Sequence, residues 1–268
     1  MCIRDSTNLE QTRKAIEGSE ICYLAIGFPY SAKIWAEKWP ITIKNVVIVC
    51  IEQNVKLVFF DNVYALDSNA IPDITEESPM NPESKKGKTR ELVDKIVLEN
   101  MEQGKIQAII ARAPNVYGPV EKNSFLMGLV YDYLKKNQTP KWVINADVKH
   151  TMGYLKDLAY GTVLLGNTPD AYNQIWNLPV DPNALTGREW VKLYAEAMGK
   201  KNKVQVLPAW LLRVLSLFIP VMGELYEMRY QYDRDYIFDS SKFNKRFNYT
   251  ATPNEVAVKQ LVEILSKK

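Results

Sequence analysis

The chain has 268 residues, 47% of them hydrophobic and 24% charged, the balance of a folded globular protein with room for one large domain or two modest ones. Its 34 basic and 31 acidic residues leave a net charge of +3, too small an excess for a nucleic-acid-binding stripe. Cys2, Cys22 and Cys50 lack Cys-x-x-Cys or zinc-ligand spacing and His150 is the sole histidine, so no disulfide framework or transition-metal centre is expected, and a reducing cytoplasm fits best.

Residues 9–17 carry a helical pattern that Gly18 stops. A strand is expected at 21–26, and Phe28-Pro29-Tyr30-Ser31 leaves its end. Residues 39–53 read as a helix with Ile43, Val46, Val47 and Cys50 on one apolar side. Strand 55–60 follows, then a loop at 67–82 rich in proline and acidic residues, then a long helix at 86–103 that runs into Gly104. Five of the six residues from 106 to 111 are apolar, with no polar alternation, so this stretch reads as a strand buried on both faces. The loop 114–119 leaves its carboxyl end, where ligands sit in open α/β sheets.

Strand, helix, strand, helix, strand without a hairpin signal is the arithmetic of a doubly wound parallel α/β sheet. A dinucleotide-binding sheet of this kind begins with a strand and a glycine-rich turn that seats pyrophosphate on a helix N-terminus. Neither Gly-x-Gly-x-x-Gly nor Gly-x-x-Gly-x-x-Gly occurs here, and the chain opens in what reads as the end of a strand. The natural protein is therefore expected to be longer by one βαβαβ portion, on the order of 60 residues.

In the second half, 125–136 reads as helix and 141–144 as extended. Residues 154–165 form another helix with Leu155, Leu158, Ala159 and Val163 inward, and 174–178 a short strand. Thr186-Gly187-Arg188-Glu189 has the form of a capping box opening a helix to about Met198. The longest apolar stretch, 204–223, is broken by Pro208, Arg213 and Pro220 and is too short between breaks to cross roughly 30 Å of hydrocarbon. A buried or partner-facing helix is expected there. An interfacial membrane anchor is the lesser alternative.

The run Arg112-Ala113-Pro114-Asn115-Val116-Tyr117-Gly118-Pro119 is similar to the Arg-Pro-x-Asn-Val-Tyr-Gly-Pro segment of the extended short-chain dehydrogenases/reductases of the NAD-dependent epimerase/dehydratase type. Ala25 at a strand end, Asn45 in the following helix and Tyr154-Leu155-Lys156-Asp157 resemble further marks of that family. The resemblance implies a Rossmann-type sheet lacking its first strands in a partial NAD(P)-binding domain at 1–119, on which the helix near 154–166 also packs. A mainly substrate-binding α/β region would occupy 120–268. It also implies NAD or NADP as cofactor, held by Asp5, Ala25, Ile26, Gly27, Lys88, Pro114, Asn115 and Val116, with binding impaired in this chain by the missing glycine-rich turn. A small-molecule substrate would be its partner, with no nucleic acid, and a homodimer is the assembly it allows.

The family's chemistry uses a Ser or Thr on the substrate hydroxyl, a Tyr as acid/base and a Lys four residues on that lowers the tyrosine's pKa. Aligned here, Asn62 takes the Ser/Thr place, Lys88 the lysine place and Ser84 the place of the tyrosine, with Tyr64 the nearest substitute by sequence. The catalytic set implied is thus Asn62, Tyr64 and Lys88, in the manner of atypical members that keep the fold and alter the site.

Other features have blander readings. Gly87-Lys88-Thr89 lacks the earlier glycine of a phosphate-binding loop, since Pro82 stands there. The basic run 85–90 reads as a solvated helix start, Lys88 excepted. His150 reads as a satisfied structural histidine, and Tyr226, Tyr230, Tyr232 and Tyr236 as packing. Asn137 and Asn248 head glycosylation-type triplets that read as chance matches. Two functions compete: an NAD(P)-dependent oxidoreductase or epimerase acting on a small hydroxyl or carbonyl substrate, which a nucleotide sugar would satisfy, and a catalytically degenerate NAD(P)-binding sensor.

Overall fold

A computed structural model of the chain describes residues 5–119 and 124–267. Cys2 and the other opening residues, 1–4, lie outside that description. The chain divides into two compact units, and neither is one continuous stretch: the first takes residues up to 67, 79–112 and 161–176, the second 68–78, 113–160 and 177 onward.

The first unit is a Rossmann-type α/β layer. In chain order it holds α1 (Leu9–Ile16), β1 (Ile21–Leu24), α2 (Ala32–Gln53), β2 (Lys56–Asn62), α3 (Lys85–Glu102) and β3 (Ala108–Ala113), and later β8 (Gln174–Asn177). The sheet order is β1-β2-β3-β8, with β1 parallel to β2 in the register Ile21↔Lys56 to Leu24↔Phe59. Helical crossovers between successive strands are what a parallel sheet requires. Its core joins Ile43, Val46, Val47 and Cys50 of α2 to Leu57 and Phe59 of β2, Val93 and Val97 of α3, and Ala108 and Ile110 of β3. All six residues of β3 are buried, the reason the run lacks polar alternation.

Two expected boundaries move. Helix α2 starts at Ala32, ahead of the expected 39, and carries Pro40 inside it. A proline within a helix costs about 3 kcal/mol; here Trp35 and Trp39, one turn apart, bury themselves against each other and against Tyr30, Phe28 and Phe59, which offsets the lost bond. Strand β3 starts at Ala108, not Ile106, because the exit from α3 uses Gly104 at φ 65° and a bond from Lys105 N to Asn100 O before the chain can extend. Asn54 and Asn248, both left-handed, end the helices Ala32–Gln53 and Ser241–Phe247, a position that favours Gly or Asn.

The second unit holds three small pairings. β4 (Asn115–Tyr117) runs parallel to β7 (Met152–Tyr154), and β5 (Lys141–Val143) parallel to β10 (Gln205–Leu207). β6 (Lys149–His150) is antiparallel to β9 (Leu185–Thr186). Around them pack α4 (Asp132–Lys135), α5 (Leu155–Gly166, its later turns in the first unit), α6 (Gly187–Ala197), α7 (Ala209–Leu215), α8 (Pro220–Glu227), α9 (Ser241–Phe247) and α10 (Asn254–Ser266). Tyr117, Leu126, Trp142, Trp190, Tyr194 and Leu261 form the main core.

The capping box opening α6 is present: Thr186 accepts from Glu189 N and the Glu189 carboxylate from Thr186 N. The expected helix 125–136 is present, helical from 125 to 135 with a π-helical turn, Met127–Tyr131, ahead of the short α4. In α5 the inward residues are Leu158, Thr162 and Leu165; Ala159 and Val163 face outward, against expectation, because Asp157 and Leu158 set the buried stripe. The loop 67–82 contributes a 3-10 turn, Ser68–Asp73, whose continuation bonds to 237–239 through Ile74 N to Ile237 O (2.8 Å) and Asp239 N to Ile74 O (2.9 Å).

Candidate functional site

In the first unit the carboxyl end of β1 opens into Ala25, Ile26 and Gly27, all exposed, and a Cβ placed on Gly27 would meet nothing within 4 Å. This open loop lies where parallel sheets receive ligands. Tyr30, a few residues on, presents its hydroxyl 3.4 Å from that of Tyr64, and the Tyr64 ring stacks on Trp35 at 5.8 Å. The Lys86 ammonium lies 4.7 Å from the centre of the Tyr30 ring. Burial raises the pKa of Tyr64, with the Tyr30 hydroxyl acting against it, so Tyr64 keeps its proton at neutral pH.

The start of α3 fixes this group. Ser84 is the N-cap, its hydroxyl accepting from Gly87 N at 2.9 Å. A Cβ on Gly87 would stand 2.5 Å from both the Tyr64 carbonyl oxygen and Pro82 Cβ, so only glycine lets the helix approach the backbone of Tyr64 this closely. Asn62 closes a local turn by accepting from Tyr64 N at 2.9 Å. The run 85–90 is not a solvated start: Lys86 and Arg90 are buried while Lys88 is exposed. Arg90 pairs with buried Asp61 at the end of β2 and lies over the rings of Trp39 (4.3 Å) and Phe59 (4.9 Å). Thus Tyr30, which the sequence did not single out, stands beside Tyr64, with Lys86 against the Tyr30 ring, and the only signals for them were a Tyr at the strand exit and a basic run.

Asp5 is exposed and turns back on its own segment, accepting from Thr7 N (2.9 Å) and Thr7 Oγ1 (2.7 Å), bonds that lower its pKa. Asn45 donates to Ser6 O at 3.1 Å and so ties α2 to the same segment.

In the second unit Pro114 is buried and Asn115 and Val116 are half-buried on β4. Asn115 Nδ2 is 2.9 Å from His150 Nε2 and 3.3 Å from the Tyr232 hydroxyl. The imidazole is sandwiched between the rings of Tyr232 (4.9 Å) and Tyr236 (4.4 Å), with Trp142 edge-on. Burial lowers the His150 pKa to about 3. The rest of the Val-Tyr-Gly run is architectural: Tyr117 packs on Tyr154 and Trp190 and donates to Asn254 Oδ1 at 3.1 Å. Asp157 of the Tyr-Leu-Lys-Asp motif accepts from Tyr249 OH (2.7 Å) and Thr252 N (2.9 Å), pinning 249–252 to α5.

The model of the NAD dependent epimerase/dehydratase family matches residues 29–178, more than half of the chain. The chain belongs to that family. No curated sequence matches it. Among solved structures, Pal from Bacillus thuringiensis is similar with a TM-score of 0.78 at 19% identity, over 98% of this chain and 82% of that one. UDP-N-acetylglucosamine 4-epimerase from Bacillus cereus follows at 0.75 and 16% identity, over 98% and 82%. UDP-glucose 4-epimerase from Thermus thermophilus, in complex with NAD, gives 0.73 and 18%, over 97% and 82%. At such identities these likenesses establish the fold. No described helix is long and apolar enough to cross a membrane, and no group of three or more metal-ligating side chains occurs among the described residues.

Proposed function

We propose that the chain works as an NAD(P)-dependent oxidoreductase or epimerase on a small hydroxyl or carbonyl compound, with a nucleotide sugar as the substrate class. In this reading the sheet unit carries the cofactor and the 120–268 region most of the substrate contacts, in a cytoplasmic homodimer. The observation that carries it is the group Tyr30, Tyr64 and Lys86 beside the open exit of β1. A phenol within hydrogen-bond reach of a second hydroxyl is suited to give a proton to a carbonyl oxygen, and the Tyr30 hydroxyl, which opposes the effect of burial on the Tyr64 pKa, steadies the phenolate left behind.

The residues present fit the nicotinamide-ribose end of such a cofactor: Ala25 to Gly27 leave open space at the end of β1, and the Tyr30 and Tyr64 hydroxyls supply donors on the segment that follows and on the exit of β2. The pyrophosphate end has no glycine-rich turn in this sequence. When bound, the dinucleotide supplies hydride exchange with substrate carbon. Tyr64 donates its proton to the substrate oxygen in the reducing direction and recovers it in the oxidising one, with the Tyr30 hydroxyl as next carrier. Asn62 and Lys88 remain members of the set that the family pattern assigns, Lys88 from its exposed place on α3. Asp5 and the segment Pro114 to Val116 complete the cofactor set in this proposal.

One observation favours the second reading, an NAD(P)-binding sensor without turnover. Ser84, aligned with the family's tyrosine, spends its hydroxyl on capping α3. The two readings separate in one experiment, titration of the full-length natural protein with NAD(H) and NADP(H) followed by incubation with UDP- and dTDP-linked hexoses, watching nicotinamide absorbance and product by NMR. Turnover supports the enzyme and binding without turnover the sensor; absence of binding refutes both.

A further inference from the structure

The helices α7 and α8 pack on each other as a hairpin that is apolar on both sides. Inward, Leu212 is buried, and Leu211, Met222 and Leu225 pack with it on Val143, Leu207 and Tyr232. Outward, Trp210 and Val214 lie one turn apart on α7, Leu217, Phe218 and Ile219 make the turn, and Val221 opens α8; all six are exposed, Leu217 and Phe218 by 78% and 80%. No charged residue occurs between Arg213 and Glu224. A lone exposed apolar side chain is ordinary, whereas a group of them on one element marks a surface that meets something other than water.

Shape and charge select the partner. Leu217 and Phe218 stand at the convex end of a helix–turn–helix, which enters a soft apolar phase readily but buries little area against a second convex copy. Cations flank this tip: Arg213 on α7, Arg229 just after α8, and Lys200, Lys201 and Lys203, all exposed. The three residues of β10, about 10 Å of extended chain, lie between those lysines and the segment that opens α7. From residue 200 to 229 five basic residues face only Glu224 and Glu227. Acyl chains beneath anionic headgroups offer this pairing of apolar and negative chemistry.

We propose that the α7–α8 hairpin docks the protein on an anionic lipid surface, with Trp210, Leu217 and Phe218 entering the boundary between headgroups and acyl chains and Lys200, Lys201, Lys203 and Arg213 meeting the headgroups. The contact is interfacial, since no described helix is long and apolar enough to cross a membrane. It rests on the second unit alone and is independent of the dinucleotide reading.

Trp210 is the one exposed tryptophan of six, so its fluorescence reports the contact directly. The 268-residue chain is sedimented with vesicles of equal parts phosphatidylcholine and phosphatidylserine and with vesicles of phosphatidylcholine alone, and a parallel set with brominated acyl chains quenches any tryptophan that reaches them. Binding to the anionic vesicles is expected, with quenching that Trp210→Phe removes. Leu217→Ser/Phe218→Ser alters only exposed side chains and is expected to weaken partitioning at least about 100-fold, about tenfold or more for each side chain, with circular dichroism unchanged. Lys201→Gln/Lys203→Gln is expected to weaken binding to the anionic vesicles about fivefold for each lysine. Absence of vesicle binding, quenching that persists in Trp210→Phe, or serine and glutamine variants that bind like the parent overturns the proposal. A dimer that Leu217→Ser/Phe218→Ser dissociates, without vesicle binding by the parent, assigns the patch to a second copy and overturns it as well.

Discussion

Replacing Arg90 by methionine tests whether the floor beneath Tyr64 is held by charge. The guanidinium of Arg90 and the carboxylate of Asp61 are 2% and 0% exposed, and they pair with each other at the end of β2. Asp61 Oδ2 and Arg90 Nε have no hydrogen-bond partner among the described residues, and the further charge acting on Arg90 is buried Asp94, which sits 3.6 Å from Arg112. Removing one partner strands the other charge out of water, which costs about 3–5 kcal/mol. Arg90 also covers Trp39 and Phe59, where a desolvated cation–π contact contributes about 2 kcal/mol; methionine refills much of that volume. Arg90→Met and Asp61→Leu are each expected to lose about 3–5 kcal/mol, and Asp61→Leu/Arg90→Met to cost no more than either single, a coupling of at least about 3 kcal/mol. Urea unfolding followed by tryptophan fluorescence measures all of these variants. Single variants that each cost less than about 1 kcal/mol, or a double variant equal to the sum of the singles, would refute the argument.

Tyr64→Phe and Lys88→Ala are each expected to lower turnover about 100-fold with circular dichroism unchanged; a rate within about twofold of the parent at either position would remove that residue from the site. Gly87→Ala forces a methyl into the Tyr64 carbonyl and is expected to cost about 1–3 kcal/mol in thermal or urea unfolding, and a variant as stable as the parent would contradict the close approach. His150 sets a pH dependence. Its folded pKa, about 3, lies below the unfolded 6.5, so the unfolded chain binds the extra proton and stability falls as pH drops below about 6.5. The loss from this group reaches about 2 kcal/mol at pH 5 and grows until about pH 3. Unfolding of the parent and of His150→Gln at pH 8 and pH 5 isolates it, and equal slopes would show that the imidazole is not buried neutral.

The sheet could be read from the chain where burial leaves a one-dimensional mark. β2 and β3 are covered on both faces and write themselves as unbroken apolar runs, and α6 announces its start with Thr186 and Glu189. The start of α2 could not be read, because Pro40 imitates a stop and the aromatic packing that overrides it comes from Phe28, Tyr30 and Phe59. The site was legible in part. Tyr64 and Asn115 stand out by resemblance, but Lys86 and Arg90 sit in a run that composition assigns to solvent. Their burial depends on Tyr30 and on an Asp61 that is 29 residues away in sequence. Val163 shows the converse error: an apolar residue at a plausible spacing that faces outward because a buried carboxylate, Asp157, sets the helix's phase.

The interleaving of the two units bears on how the chain is made. The path passes from one to the other after residues 67, 78, 112, 160 and 176. During synthesis β1, β2 and β3 emerge first, yet β8, which covers the far edge of β3, arrives only at residues 174–177. Until then β3 presents a bare ladder to any passing strand. A ribosome supplying about 5–20 residues per second leaves that edge open for roughly 3–12 seconds, while the segment 113–160 of the other unit is being delivered. A nascent chain arrested near residue 119 would carry an unsatisfied sheet edge and be a natural client for a holding chaperone, whereas release after 177 would not.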